Sequence, residues 1–250
     1  MSGHSKWAQI KRQKGVADAR RGQLFTKLAR EITLAARQGG PSPEHNLQLR
    51  LAIQKARDNN MPSDNIERAI KRGTGETGGV ELTELTLEGY GPGGVAVLVE
   101  ALTDNRNRTI QDVRRVFQRH GGSLGESGCV SWLFDDRGVI NVESASSMSE
   151  EVALQAIDAG AEDVSTGDGY MEIYAQPGAM EDVRKRVEEF AHVVSSEIGK
   201  VPRTTVMLED NEAERVLNLF DRLEEMDDVQ HVYSNADFPD EALERLQTRA

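Results

Sequence analysis

A single cysteine in 250 residues, Cys129, excludes an intrachain disulfide and a cysteine metal cluster. No apolar run approaches the ~18–20 residues that a bilayer-spanning helix needs, so no membrane partner is expected. The opening stretch MSGHSKWAQIKRQKG is basic but lacks the apolar segment of a secretory signal. With 38% hydrophobic residues and these absences, the chain reads as a soluble, cytoplasmic, globular protein.

Catalytic signatures are also missing. His4, His45, His120, His192 and His231 show no metal-ligand spacing, and there is no GxSxG nucleophile elbow. Gly73, Gly75 and Gly78 match GxGxxG, but they follow a helical pattern, whereas a dinucleotide loop follows a strand and opens a helix. Gly91–Gly94 sits between two strand patterns and lacks the Lys-Ser/Thr of a phosphate loop. Acidic pairs such as Glu150-Glu151 and Asp227-Asp228 fall at element ends, where capping and solvation account for them. The expectation is a non-enzymatic chain with no cofactor, no metal and no small-molecule substrate.

What is present is charge, unevenly placed. The formal charge is −12, yet residues 1–80 hold 15 Lys+Arg against 7 Asp+Glu, and the rest hold 15 against 35. That asymmetry separates a polyanion-binding part from an acidic part that repels polyanions. Within the first thirty residues, eight bases face Asp18 alone.

The periodicity predicts three domains. Phe25, Leu28, Ala29, Ile32 and Ala36 form one helical stripe, stopped by Gly39-Gly40-Pro41. Leu49, Ala52, Ile53 and Ala56 form a second, ending near Asn59-Asn60. Ser63 is placed as the cap of a third helix carrying Ile66, Ala69 and Ile70, with Gly73 as its stop. From Leu85 the period becomes that of strands: 85–90 and 95–102, a helix at 107–119, and a strand at 130–134. Next come strand 138–143, helix 149–159, strands 162–166 and 170–175, helix 179–197 and strand 201–208. This β-α-β-β-α-β order is ferredoxin-like. A helix at 211–226 and a strand at 229–234 would complete the sheet begun at Leu85. The expected fold is α+β: a small helical bundle (1–80), then two ferredoxin-like domains. The second domain is split (81–134 plus 207–250), and an acidic third (135–206) is inserted in it.

Three stretches carry a family likeness: GHSKWAQIKRQKGVADARRGQLFTKL, NNMPSDNIERAIKRG at 59–73 and EGYGPGGVAVLVEALTDNRNRT at 88–109. They closely resemble the YebC/PmpR family, over essentially the whole chain. The resemblance implies a helical domain followed by two α+β domains, one inserted in the other. It also implies a cytoplasmic, DNA-binding transcriptional regulator. Relatives that include the mitochondrial translational activator of cytochrome oxidase imply a second job, at the ribosome, relieving stalling at proline-rich sequences.

Nucleic-acid contact is expected first in the N-terminal strip. Gly3 permits close backbone approach, and His4, Ser5 and Lys6 supply donors. Trp7 offers a stacking face, worth ~1–3 kcal/mol per base in single-stranded sites. Lys11, Arg12, Lys14, Arg20, Arg21 and Lys27 continue the charge, which can release counterions from a phosphate backbone. A competing role for Trp7 is to cap the small helical core, with the cations simply solvated. The second candidate is TDNRNRT, residues 103–109, with Arg106 and Arg108 at a helix start capped by Asp104 or Asn105. Arg108, Arg115 and Arg119 share a helical face with Asp112 among them, so an intrahelical ion pair or docking on an acidic neighbour competes with phosphate contact. The third candidate is Arg68, Lys71 and Arg72. The polymer is left open between DNA and ribosomal or transfer RNA. A third possibility is a protein-interaction module acting through the acidic domains.

Overall fold

The computed structural model describes residues 18–76, 82–143, 149–167 and 169–238. It is an α+β protein of three domains. By compactness, residues 132–204 form one unit, and the chain before and after them forms the other.

The helical domain contains α1 (Asp18–Gly39), α2 (Leu47–Asp58) and α3 (Ser63–Gly73). The stripes read from the sequence make its core, in which Leu28, Ile32, Leu49, Ala52, Ala56, Ile66 and Ala69 are buried together. Asn46 caps α2 through a bond accepted from the Leu49 amide, 3.0 Å. Its amide group also donates to Ala35 O at 2.7 Å, which ties the α1–α2 turn down. The expected Ser63 cap is corrected: Ser63 is the first helical residue, and Pro62 stands at the cap with no side-chain bond. Pro62 suits that place because its fixed φ is compatible with helix entry and its missing N–H is no loss there. Helices α1 and α3 cross closely. A Cβ on Gly73 would lie 2.4 Å from Thr33 O, and Thr33 Oγ1 donates to Ala69 O at 3.1 Å.

In the same unit, β1 (Thr83–Tyr90), β2 (Ala96–Thr103), β3 (Ser123–Leu124) and β9 (Val229–Ser234) make an antiparallel sheet ordered β3-β1-β2-β9. Helices α4 (Arg106–Arg119) and α7 (Asp210–Glu224) cover it, burying Val97, Val99, Val113, Phe117, Val216 and Phe220. The strand order is the ferredoxin-like one, reached here with β1 leading and forming a hairpin with β2. A short parallel pair, β8 (Val206–Met207) with β10 (Ala236–Asp237), was not legible in the sequence.

The unit 132–204 contains β4 (Phe134–Glu143), α5 (Ser149–Asp158), β5 (Ala161–Gly167), β6 (Tyr170–Ala175), α6 (Met180–Glu188) and β7 (His192–Pro202). Its sheet, ordered β5-β6-β4-β7, is antiparallel throughout and packs Ile140, Met171 and Ile173 against Val152, Ala156, Val183 and Val187. Three expectations are corrected here. The helix placed at 179–197 ends at Glu188, and the strand placed at 201–208 gives way to β7, because residues from His192 to Pro202 pair with β4. The strand placed at 130–134 is a 3-10 turn over Ser131–Leu133, with β4 beginning at Phe134. No described helix is long and apolar enough to cross a membrane.

Candidate nucleic-acid interface

Gly3, His4, Ser5, Lys6, Trp7, Lys11, Arg12 and Lys14, and the side chain of Arg20, lie outside the described residues. The remaining cations divide into those bound by the protein and those left open.

Lys27 and Arg30 belong to the first group. Gln23, Lys27 and Arg30 recur at i, i+4 and i+7 on α1, so they share one face. That face meets the C-terminal end of α7, where carbonyls beyond the reach of the helix's own amides carry partial negative charge. Gln23 Nε2 donates to Glu225 O (3.2 Å), Lys27 Nζ to Glu224 O (2.7 Å) and Arg30 Nη1 to Asp227 O (2.5 Å). Lys27, expected to touch nucleic acid, thus joins two domains.

At the same junction stands Asp228, only 8% exposed. Its Oδ1 accepts from Arg30 (2.7 Å), and its Oδ2 accepts from Arg108 (2.8 Å) and from the Thr109 hydroxyl (2.7 Å). Thr103 Oγ1 lies 3.1 Å from Oδ2 and takes the Asn105 amide at 3.0 Å. Burial pushes the Asp228 pKa up, but the bonds from Thr109 and Arg108 and the charge of Arg30 outweigh it, leaving the pKa below its ordinary value. Asp228 is therefore a buried keystone that joins α1, the end of β2 and the start of α4. The TDNRNRT stretch is built around it: Asn105 caps α4 by accepting the Arg108 amide (3.1 Å), and Arg108 also pairs with Asp104 (2.8 Å).

The exposed cations that the junction does not use lie elsewhere. Arg106 is exposed at the start of α4, and its side chain makes no hydrogen bond or ion pair with a described residue. Arg115 pairs with Asp112 on the solvated face (2.9 Å). Arg21 is exposed on α1. On α3, Arg68 holds Asp64 O (3.2 Å) and the Asn65 side chain, while Lys71 and Arg72 are exposed and their side chains make no hydrogen bond or ion pair with a described residue. Arg68 and Arg72, four apart, overhang a groove of about 380 Å³ between α1 and α3. Its floor is Phe25, Ala29, Met61 and Ala69, and Asn65 stands at its edge. Cations above an apolar floor can hold a phosphate and shelter an adjoining flat ring.

Among the described residues no group of His, Cys, Asp or Glu is arranged to hold a metal. The lone thiol, Cys129, is pushed up in pKa by burial and by the Glu88 charge, which makes it a poor nucleophile at neutral pH.

A helical domain with arginines beside a shallow groove, latched to a ferredoxin-like domain that carries a second one, defines a class of three-domain α+β proteins. The chain belongs to the TACO1/YebC family. The model of the family's N-terminal domain matches residues 5–76, and the model of its second and third domains matches residues 82–236. A probable transcriptional regulatory protein of Dehalococcoides mccartyi is 60% identical over the full length of both chains. A protein of the same description from Halothermothrix orenii is 54% identical, covering 98% of this chain and 99% of its own. The crystal structure of a conserved hypothetical protein from Aquifex aeolicus superposes with a TM-score of 0.82 at 48% identity, over 89% of this chain and 92% of that one.

Proposed function

We propose that this chain is a non-enzymatic regulator of gene expression that binds nucleic acid through phosphate contacts made by its helical domain. The observation that carries this is the exposed row Arg68, Lys71 and Arg72 on α3, of which Arg68 and Arg72 line the groove, in the one part of the chain with a basic excess. The names of the relatives support a transcriptional role, which makes DNA the first polymer to test. Phosphate contacts set affinity and register but carry no sequence information, so weak sequence discrimination follows. The domain limits near residues 80, 134 and 207 are part of this reading, as is its cytoplasmic setting.

A second reading, a ribosome-associated factor that binds ribosomal or transfer RNA, is favoured by the groove itself. An apolar floor beneath cations suits an unstacked base, which duplex DNA does not present and RNA loops do.

The test reverses charge at Arg68→Glu, Lys71→Glu and Arg72→Glu, all on the surface of α3. Labelled duplex DNA and a structured RNA fragment are then titrated by anisotropy. The expected result is weakened binding for every sequence of the preferred polymer, with the salt slope smaller by about 3. Unchanged binding would remove α3 from the interface and overturn the reading. Crosslinking in the native cell, followed by sequencing of what is bound, separates promoter DNA from ribosomal RNA.

A further inference from the structure

The α4–α7 layer of the second domain carries a cluster of like charges that the domain junction does not use. Arg119 ends α4, and His120 and Gly121 follow it. The guanidinium of Arg215 lies over Gly121, where any Cβ would collide with its Nη2; φ of +78° at Gly121 also favours glycine. Arg222 is one of the charges that bear on His120, together with Arg119. Three exposed arginines from two helices thus converge on one turn.

Their surroundings compensate them little. Arg222 pairs with Glu225 (2.6 Å), while the side chains of Arg119 and Arg215 make no hydrogen bond or ion pair with a described residue. On α7, Arg215 and Arg222 are seven apart and share a face. Glu214 and Asp221 are also seven apart, and their face is turned about 100° away. Three like charges gathered around a single paired carboxylate are unfavourable until an anion joins them. Burial and the charges of Arg222 and Arg119 also lower the His120 pKa, so the imidazole adds no further cation at neutral pH. The cluster adjoins the helical domain, because Glu225, which pairs with Arg222, is also the residue whose carbonyl receives Gln23 of α1.

We propose that Arg119, Arg215 and Arg222 form a phosphate-binding site on the second domain, which takes a phosphodiester of the same nucleic acid that the helical domain binds. Guanidinium groups suit this ligand because their planar forks match phosphate oxygens in pairs. The shared-polymer part rests on the function proposed above; the phosphate site does not. Two domains on one polymer would make the Asp228 junction set the spacing between contacts.

The experiment uses the full chain and the variant R119Q/R215Q, whose substitutions are at exposed positions. Inorganic pyrophosphate is titrated while the His120 ring resonance is followed by NMR. A saturable shift in the wild type that is lost in the variant supports the site. No shift, or the same shift in both proteins, overturns it. In parallel, the salt slope is measured for duplex DNA and for single-stranded RNA. A slope smaller by about 2 in the variant, for whichever polymer binds, supports a shared polymer. A slope lowered by the α3 reversals but not by R119Q/R215Q overturns the sharing. Wild-type protein that binds neither polymer defeats the sharing and the proposed function together, and the pyrophosphate arm still decides the site.

Discussion

Replacing Asp228 with alanine is expected to cost about 3 kcal/mol and to loosen the helical domain from the α4–β2 region. The carboxylate takes charge-assisted bonds from Arg30 and Arg108 and a third bond from Thr109. Its removal strips the counter-charge from Arg30, whose side chain is 21% exposed, and leaves the Thr109 hydroxyl buried with a weaker set of acceptors. Arg30→Ala should cost less. Asp228 then keeps Arg108 and Thr109, while Lys27 and Gln23 still hold the end of α7. Urea midpoints of the two variants give the order, and a double-mutant cycle gives the coupling. Equal, small losses for both would show the junction to be incidental.

The second large effect is expected at Glu88. This carboxylate is 4% exposed and accepts three backbone amides: Gly128 (2.7 Å), Val130 (2.8 Å) and Ser131 (2.7 Å). Its backbone carbonyl takes a fourth, from Gly125 (2.8 Å), and the Tyr90 hydroxyl donates to Cys129 O nearby (3.0 Å). Glu88 therefore shapes the loop that leads into residues 132–204. In Glu88→Gln the amide oxygen can serve Val130 and Ser131 while its NH2 faces the Gly128 N–H, donor against donor. The expected cost is about 2–3 kcal/mol, seen as faster hydrogen exchange at Gly128 together with a lower urea midpoint.

Both carboxylates predict the same pH dependence. Burial raises the Glu88 pKa, but the bonds from Gly128, Val130 and Ser131 prevail and bring it below its ordinary value, as happens for Asp228. A carboxylate whose folded pKa is depressed contributes stability that is present above its unfolded value, about 3.9 for Asp and 4.3 for Glu. That contribution disappears as the pH falls through the folded value. The wild type should thus lose stability steeply below about pH 4, and Glu88→Gln should lose less there because one of the two terms is already gone.

Much of the fold was legible because single elements announce themselves. The bundle core is the set of apolar stripes read from the sequence, and β6 and β9 fall at the expected residues. The failures have a common cause in distant partners. Phe190, Ala191 and Val193 pack on the same core whether helical or extended, so their pattern cannot show that β4 claims the segment from His192 onward as a strand. Val130 and Ser131 look like strand residues, but Glu88, more than forty positions earlier, takes their amides and forbids a ladder there. The candidate site was legible as charge and not as geometry. Lys27, Arg108, Lys71 and Arg72 are alike in sequence, yet the first two serve the domain junction. Asp228 reads as one of a solvated pair until the fold brings Arg30 and Arg108 to it. An acid beside buried β-strand residues, with Thr103, Arg108 and Thr109 of the TDNRNRT stretch elsewhere to receive it, was the signal available, and it needs the topology to be read.

The central claim, phosphate-led binding by the basic helical domain, is tested most directly by the salt dependence of the full chain on its preferred polymer. If six or more phosphates are engaged, log K should fall linearly with log salt, and affinity should drop by ~10³–10⁵ between 50 and 200 mM. A tight complex whose affinity is insensitive to salt over that range would contradict the account.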